Sequence, residues 1–498
     1  MNYFGSIFAM VACIAMSAYF SATETAFSSL NKTRLKVLAD NGNKRAALAL
    51  TDIPGYQPPQ ALGNATFGRA LLGANGDITW SVYDQNNQPI ENYDPVQQVA
   101  WGSGSEYTDV PGVLTFRGNN ARSAPSYGTA QIADKKLTIA WTHDIGAVSA
   151  DGSYFPGAGW TGQPLLVKWP TDTKQAMKLP AAAVADANFV EVIYPVFDGS
   201  VYRLSLADGS VTRPKIEGKW GFKGTGSIDP RGYPLLYAGQ GLNENGNDKG
   251  PWNYHNFDRI QNKEVATISG TDEVSHRQDP VGWGAFDSSA LVDRASDTLV
   301  EPGENGIVYK AKLNAKFDAK AGTVSVKPEL TKMTYRTPIS RQYGIESSAA
   351  AWKNLMWATD NDGNMICWDA RTLEIVWARA LGDNSDSTPV LDDSTGHPYL
   401  YTGNSVGWRG AERKDQVANL RKIDGLTGEQ RLFMSWALAW QHKARPEALI
   451  TQLTTDPHSP DEFRCNQVVR NIEEFYSAFG VTGDDELWMA PELRVKIW

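Results

Sequence analysis

A chain of 498 residues is long enough for two or three domains, and its 42% hydrophobic content supplies a large core. A formal net charge of −9 excludes the basic surface that nucleic-acid binding requires. Cys13, Cys367 and Cys465 lie far apart and make a disulfide framework unlikely, while 45 glycines, 17 tryptophans and 19 tyrosines suit a mainly β protein with many turns.

Residues 1–20 hold no charged side chain and match the ~20 residues of a bilayer-spanning helix, so the sequence predicts an N-terminal transmembrane helix that anchors the chain to a membrane. A secretory signal peptide would place basic residues ahead of the apolar core, and Met1 to Phe4 carry none. Lys32, Arg34, Lys36, Lys44 and Arg45 follow the span, a flank that puts the rest of the chain in the cytoplasm. The run Ser21 to Leu30, with Arg34-Leu35 and Asn41 to Ala46, resembles the start of the membrane domain of magnesium and cobalt transporters of the CorC and hemolysin C type. That resemblance covers residues 1–50 and implies a bacterial-type membrane protein with Ser21 and Glu24 along a cation path. One helix cannot enclose a path, and no later stretch is long and apolar enough to span a bilayer, so Glu24 reads as an interfacial polar residue.

After Leu50 the composition shifts to Pro, Gly, Asn and Gln, and Ile53 to Pro59 breaks any helix continuing from the anchor, so residues 51–111 read as a linker or entrance. From Gly112 the pattern is strand and turn. Gly112 to Asn119 leads to a strand over Leu137 to Trp141, and small or hydroxyl residues then open strands at Gly162 to Val167, Gly226 to Asp229, Ser288 to Val292, Ser347 to Ala350 and Ser387 to Leu391. Their starts lie 64, 62, 59 and 40 residues apart, against ~40–50 residues for one four-stranded propeller blade, which predicts inserted loops in the first three units. Two units show the full pattern. One runs from Val192 through the turns Asp198-Gly199 and Asp208-Gly209 to Ile216; the other runs through Asp362-Gly363 and the polar turn Arg371-Thr372-Leu373 to Trp377.

These units resemble the pyrroloquinoline-quinone type of propeller repeat in their small-residue opening, D-G turn and closing tryptophan. The resemblance implies a mainly β fold, an incomplete β-propeller of about five to six blades over residues 112–428. Quinone dehydrogenases of that superfamily pack an adjacent cysteine pair on the quinone, beside a calcium ion and a catalytic carboxylate. This chain has no adjacent cysteines. No cofactor is therefore expected, and the implied role is binding or scaffolding, as in relatives that assist outer-membrane protein assembly.

Trp252-Asn253-Tyr254-His255 and Ser275-His276-Arg277 fall in the inserted loops, where binding residues concentrate. Trp252, Tyr254, His255, His276 and Arg277 are the expected contacts for a protein or small-molecule ligand. Trp141, Trp220 and Trp377 read as packing between blades, and Gly303 to Gly306 as a turn.

From Arg431 the spacing of Leu432-Phe433, Trp436-Ala437 and Trp440 predicts a helical tail over residues 429–498. Ile423 to Arg431, Asp456 to Pro460, Phe463 to Asn466 and the ending Val495 to Trp498 closely resemble the carboxy-terminal end of the neprilysin-type zinc metallopeptidases. The resemblance gives His458 the stabilisation of the tetrahedral transition state and Arg464 a substrate contact. Such catalysis needs a zinc held by three protein ligands, and none of the six histidines begins an H-E-x-x-H motif, so no metal is expected. The expectation is a membrane-anchored, non-catalytic propeller in a chain that joins unrelated pieces. The alternatives are a remnant zinc metallopeptidase and a quinoprotein-type oxidoreductase. The basic flank places the propeller in the cytoplasm, whereas propellers of this type are usually exported.

Overall fold

The computed structural model describes residues 78–129, 136–150, 152–158, 162–277, 282–404 and 419–435. The expected transmembrane helix, Ser21, Glu24, His458 and Arg464 lie outside these residues. Among the described residues no helix is long and apolar enough to cross a membrane.

Five antiparallel sheets follow one another along the chain as the five blades of a β-propeller. The first contains Leu165–Val167, Glu191–Pro195 and Val201–Ser205. The second contains Ser227–Ile228, Leu235–Gly239, Asn253–Asp258 and Lys263–Ser269. The third contains Leu291–Asp293, Thr298–Pro302, Ile307–Lys312 and Glu329–Arg336. The fourth contains Ala350–Trp352, Leu355–Thr359, Asn364–Asp369 and Ile375–Ala380. The fifth contains Val390–Asp392, Tyr399–Asn404, Asn419–Asp424 and Gln430–Ser435. Each first strand coincides with one of the small-residue openings read from the sequence. The insertions are short helices at Thr171–Ala176 and Ala181–Ala185 in the first blade, the hairpin Glu244–Asn245/Asp248–Lys249 in the second and the hairpin Lys316–Asp318/Thr323–Ser325 in the third.

The blades are held together by apolar packing. One buried cluster runs through the first three blades, a second joins the third to the fourth through Met333, Trp368 and Ile375, and a third joins the fourth to the fifth through Trp377, Leu391 and Leu400. The turns are equally regular. Asp369 Oδ1 accepts the amides of Arg371 and Thr372 at 2.7 and 3.0 Å, and Asp424 Oδ1 accepts those of Leu426 and Thr427 at 3.0 and 3.2 Å. At Asp362-Gly363 the glycine has φ +78°, which a side chain would strain, and a Cβ there would meet the backbone of Asp383.

Three expectations are corrected. Gln430–Ser435 is not the start of a helix but a strand, because the tight turn at Asp424 folds it back onto Asn419–Asp424, and pairing along a sheet edge outweighs a weak helical period. Val211 to Ile216 makes only isolated bridges, Leu204 to Val211 and Val201 to Ile216, in place of a regular outer strand. Leu137 to Trp141 forms no strand and pairs with none among the described residues. Within the stretch read as a linker, Thr79–Asp84 forms a fifth strand on the third blade, paired with Glu329–Arg336.

Residues 112–122 thread the space that the inner strands surround. Gly112 and Val113 pair with Val167 and Leu166 of the first blade. The carbonyls of Leu114, Asn120 and Ala121 accept the amides of Ile228, Ala351 and Leu391 at 2.8, 2.8 and 2.9 Å. Thr115 Oγ1 donates to the Ala290 carbonyl at 2.9 Å, so the segment bonds to an inner strand or its approach in every blade. Arg122, fully buried, clamps it by donating to the carbonyls of Ala349 and Ser289 at 2.7 Å each and of Phe116 at 2.9 Å, and to Thr115 Oγ1 at 2.8 Å. Burial lowers the guanidinium to about 10.

Candidate binding site at one mouth of the propeller

The inner strands begin at one end of the axis, and the residues just ahead of them build a charged mouth. Lys223, Asp287, Glu346 and Asp386 each stand four residues before the first residue of an inner strand, so the second to fifth blades place them at equivalent positions. Two residues further on, hydroxyls link neighbouring blades. The amides of Gln163, Ser289 and Ser348 donate to the side-chain oxygens of Thr225, Ser348 and Thr388 at 2.8, 2.9 and 3.0 Å. This lateral row fixes the spacing of the charges.

Lys223 Nζ bonds to Asp287 and lies 3.4 Å from Glu346 Oε2. Asn361 Nδ2 donates to Glu346 Oε1 at 2.9 Å, and Arg277 Nη1 donates to Glu304 Oε1 at 3.0 Å. Asp287 Oδ1 and Glu304 Oε2 are buried and find no hydrogen-bond partner among the described residues. Asp386 is the most exposed of the four equivalent residues. The mouth therefore sets four carboxyl groups, at Asp287, Glu304, Glu346 and Asp386, against two cations. Burial pushes Asp287 up to about 6 against the pull of Lys223, and burial with the charges of Asp287 and Glu346 pushes Glu304 up to about 8. Partial burial and the charge of Glu346 push Asp386 up to about 6. Burial opposes the charge on Lys223, but the carboxylates of Asp287 and Glu346 outweigh it and raise the ammonium.

The stability of the molecule should fall as pH rises. Glu301 and Asp360, also fully buried, are pushed by burial to about 8 and about 7. For an acid whose folded value is raised, the stabilisation is complete below its unfolded value near 4 and is lost as pH climbs through the folded value. Each group loses about 1.4 kcal/mol per pH unit from its unfolded value near 4 up to its folded value, so Asp287 is spent by about pH 6 while Asp360, Glu301 and Glu304 carry the loss on to about pH 7 and 8. Guanidinium denaturation at pH 6 and pH 9 should show a lower midpoint at the higher pH.

The structure divides the five residues expected to contact a ligand. Arg277 belongs to the mouth through Glu304 and lies over the Trp283 ring at 5.3 Å. His276 stands against Tyr343 at 5.3 Å, lowered by burial and by Arg336. Trp252 packs on Trp283 at 4.8 Å, and Tyr254 is buried against Phe286. His255 lies apart, in a groove of about 760 Å³ lined also by Trp220, Phe222, Phe257 and Lys263. Its Nε2 meets Gln240 Oε1 at 2.9 Å and its Nδ1 meets Glu264, so both nitrogens are engaged. Among the described residues no group of three or more His, Cys, Asp or Glu side chains is placed to hold a metal ion. The sequence reading passed over Lys223, Asp287, Glu304, Glu346 and Asp386. The signal was a charged residue immediately ahead of the small-residue openings Ser288-Ser289, Ser347-Ser348 and Ser387-Thr388.

Residues 8–53 match the cyclin M transmembrane N-terminal domain, and residues 401–495 match peptidase family M13. A neutral endopeptidase of Lactobacillus helveticus is 43% identical over 67 residues, 14% of this chain and 10% of that protein. A neutral endopeptidase of Lactococcus lactis subsp. cremoris is 42% identical over 66 residues, 13% and 10%. Human neprilysin is 33% identical over 73 residues, 15% and 10%. The chain spans about a tenth of the length of these curated relatives. The crystal structure of BamB from Moraxella catarrhalis aligns with a TM-score of 0.33 at 13% identity, over 50% of this chain and 62% of that one.

The chain is composite. Its peptidase-like part begins inside the fifth blade, since the match starts at residue 401 and Asn419–Asp424 and Gln430–Ser435 are the last two strands of that sheet. Ile423-Asp424-Gly425 shows how one sequence serves both. Ile423 is in the core between blades, His397 Nε2 bonds to Asp424 Oδ2 at 2.9 Å, and the Gly425 carbonyl accepts the indoles of Trp357 and Trp377 at 3.1 and 2.9 Å.

Proposed function

We propose that the chain is a membrane-associated, non-catalytic binding module whose propeller, a variant of the pyrroloquinoline-quinone-type repeat, takes a cationic group at the charged mouth. The observation that carries this reading is the convergence of Lys223, Asp287, Glu346 and Asp386 from equivalent positions of four blades, with acid in excess over base. The match to a transmembrane domain at residues 8–53 supports the membrane association. In the enzymes that residues 401–495 resemble, His458 and Arg464 would act beside a metal-bound substrate, and the proposed role uses neither.

Calorimetric titration with cadaverine, a flexible diammonium, tests the reading. Saturable binding is expected, weakened by salt and reduced about tenfold or more by Glu346→Gln combined with Asp386→Asn. Binding that survives both substitutions unchanged, or none at all, would overturn it.

A further inference from the structure

The segment Leu137 to Gly146 repeats the apolar pattern of residues 373–382, which hold the outer strand of the fourth blade, and is identical to them at four of ten positions. Leu137, Ile139, Trp141, Ile145 and Gly146 correspond in spacing to Leu373, Ile375, Trp377, Leu381 and Gly382. The contacts to the following blade correspond as well. Trp377 Nε1 donates to the carbonyl of Gly425, the residue after Asp424, at 2.9 Å, and a Cβ on Gly428 would strike the Trp377 ring. Trp141 Nε1 donates to the carbonyl of Leu206, the residue after Ser205, at 2.9 Å, and a Cβ on Gly209 would strike the Trp141 ring. Between the first and second blades, Arg213 Nη1 reaches the equivalent carbonyl, that of Arg259, at 3.1 Å. Residues 137–146 thus sit against the first blade as an outer strand sits against the blade that follows it.

What differs is the other side. Leu373 and Ile375 are 0% and 3% exposed, because Ile375 pairs with Trp368 and the sheet covers them. Leu137 and Ile139 are 81% and 82% exposed and pair with no strand among the described residues. The lateral hydroxyl row shows the same gap: Gln163 bonds to Thr225 between the first two blades and Ser289 to Ser348 to Thr388 among the last three, and no bond of the row leads on from Thr388 among the described residues.

We propose that residues 137–146 are the outer strand of a sixth blade, and that they receive a three-stranded β-meander supplied by another polypeptide. The fourth blade is the template for that partner. It carries a small-residue opening with Ser or Thr at the position of Ser348, and apolar residues facing Leu137 and Ile139 as Trp368 faces Ile375. Another polypeptide is taken as the source because residues 8–53 match a transmembrane domain, and the peptidase match over residues 401–495 already gives its two strands, Asn419–Asp424 and Gln430–Ser435, to the fifth blade. The proposal uses neither the charged mouth nor its ligand, so each stands or falls alone.

The probe is a labelled synthetic peptide with the sequence of residues 345–373, the inner three strands of the fourth blade, added to the full chain. Saturable one-to-one binding by fluorescence anisotropy is expected, with slowed hydrogen exchange at residues 137–145. Ile139→Asp and Leu137→Asp lie on the exposed side and should leave the far-ultraviolet spectrum unchanged while weakening binding roughly 10- to 100-fold. Val211→Asp, at an exposed position elsewhere, should not weaken it. Equal binding by Ile139→Asp, or no change in exchange at saturating peptide, would overturn the proposal. So would protection of residues 137–145 without peptide, whether it depends on protein concentration, as for a second copy, or disappears on removing residues 436–498, as for the chain's own tail.

Discussion

Glu191→Ala is expected to cost about 3–5 kcal/mol of folding free energy, the cost of breaking a buried ion pair and leaving charge behind. Glu191 lies between two arginines, none of the three exposed. Arg203 Nε donates to its Oε1 at 3.1 Å and Arg259 Nη2 to its Oε2 at 2.9 Å, while Thr212 Oγ1 and Trp169 Nε1 complete the set at 2.7 Å each. Burial works against the carboxylate, and the two guanidiniums overcome it, holding Glu191 at about 2. Arg259 has little to spare: its Nε and Nη1 find no partner among the described residues, and burial lowers it to about 9. Without Glu191 two cations face each other in a dry interior. The sign with pH follows from the lowered carboxyl. Its stabilisation is present above the unfolded value near 4 and is lost as pH falls through about 2. Guanidinium denaturation should therefore separate wild type from the variant at pH 7 and bring them together toward pH 2.

Arg122→Met should be of similar size, about 3 kcal/mol or more, since it takes the guanidinium donor from the buried carbonyls of Ala349 and Ser289 and the part-buried one of Phe116, at about 1–3 kcal/mol each. Methionine keeps the apolar volume, so the loss measures the hydrogen bonds. Arg122→Lys keeps the charge but not the planar fork and should fall between. Limited proteolysis offers a second measurement, because weakening the clamp should expose the chain near Arg117 to trypsin first. Cleavage confined to other loops would show that the axial segment does not depend on Arg122.

The blades were legible because each is a local pattern. Alternating apolar residues, a D-G turn and a small-residue opening lie within ~40 residues, and the inner strands Leu165–Val167, Ala350–Trp352 and Val390–Asp392 stand where that pattern put them. The end of the fifth blade was misread because Leu432, Phe433 and Trp436 fit a helical period, and only a partner strand shows which period wins. The charged mouth was illegible for another reason. Lys223, Asp287, Glu346 and Asp386 are 64, 59 and 40 residues apart in sequence and meet only when four blades turn about one axis. Arg277, expected in an inserted loop, pairs with Glu304, which stands in sequence as an ordinary turn residue of Gly303 to Gly306.

The axial segment also changes how such a molecule must fold. In a stack of repeats each unit needs only its neighbours, so structure can spread from any point. Here Ala121 closes its bond with Leu391, 391 − 121 = 270 residues later in the chain. A nascent chain leaving the ribosome therefore carries residues 112–122 with the Asn120 carbonyl unclaimed until the fourth blade emerges and that of Ala121 until the fifth, and the expected slow step is the capture of this early segment by the last repeats. The repeats are local in sequence, yet the thread through their centre makes assembly a single long-range event.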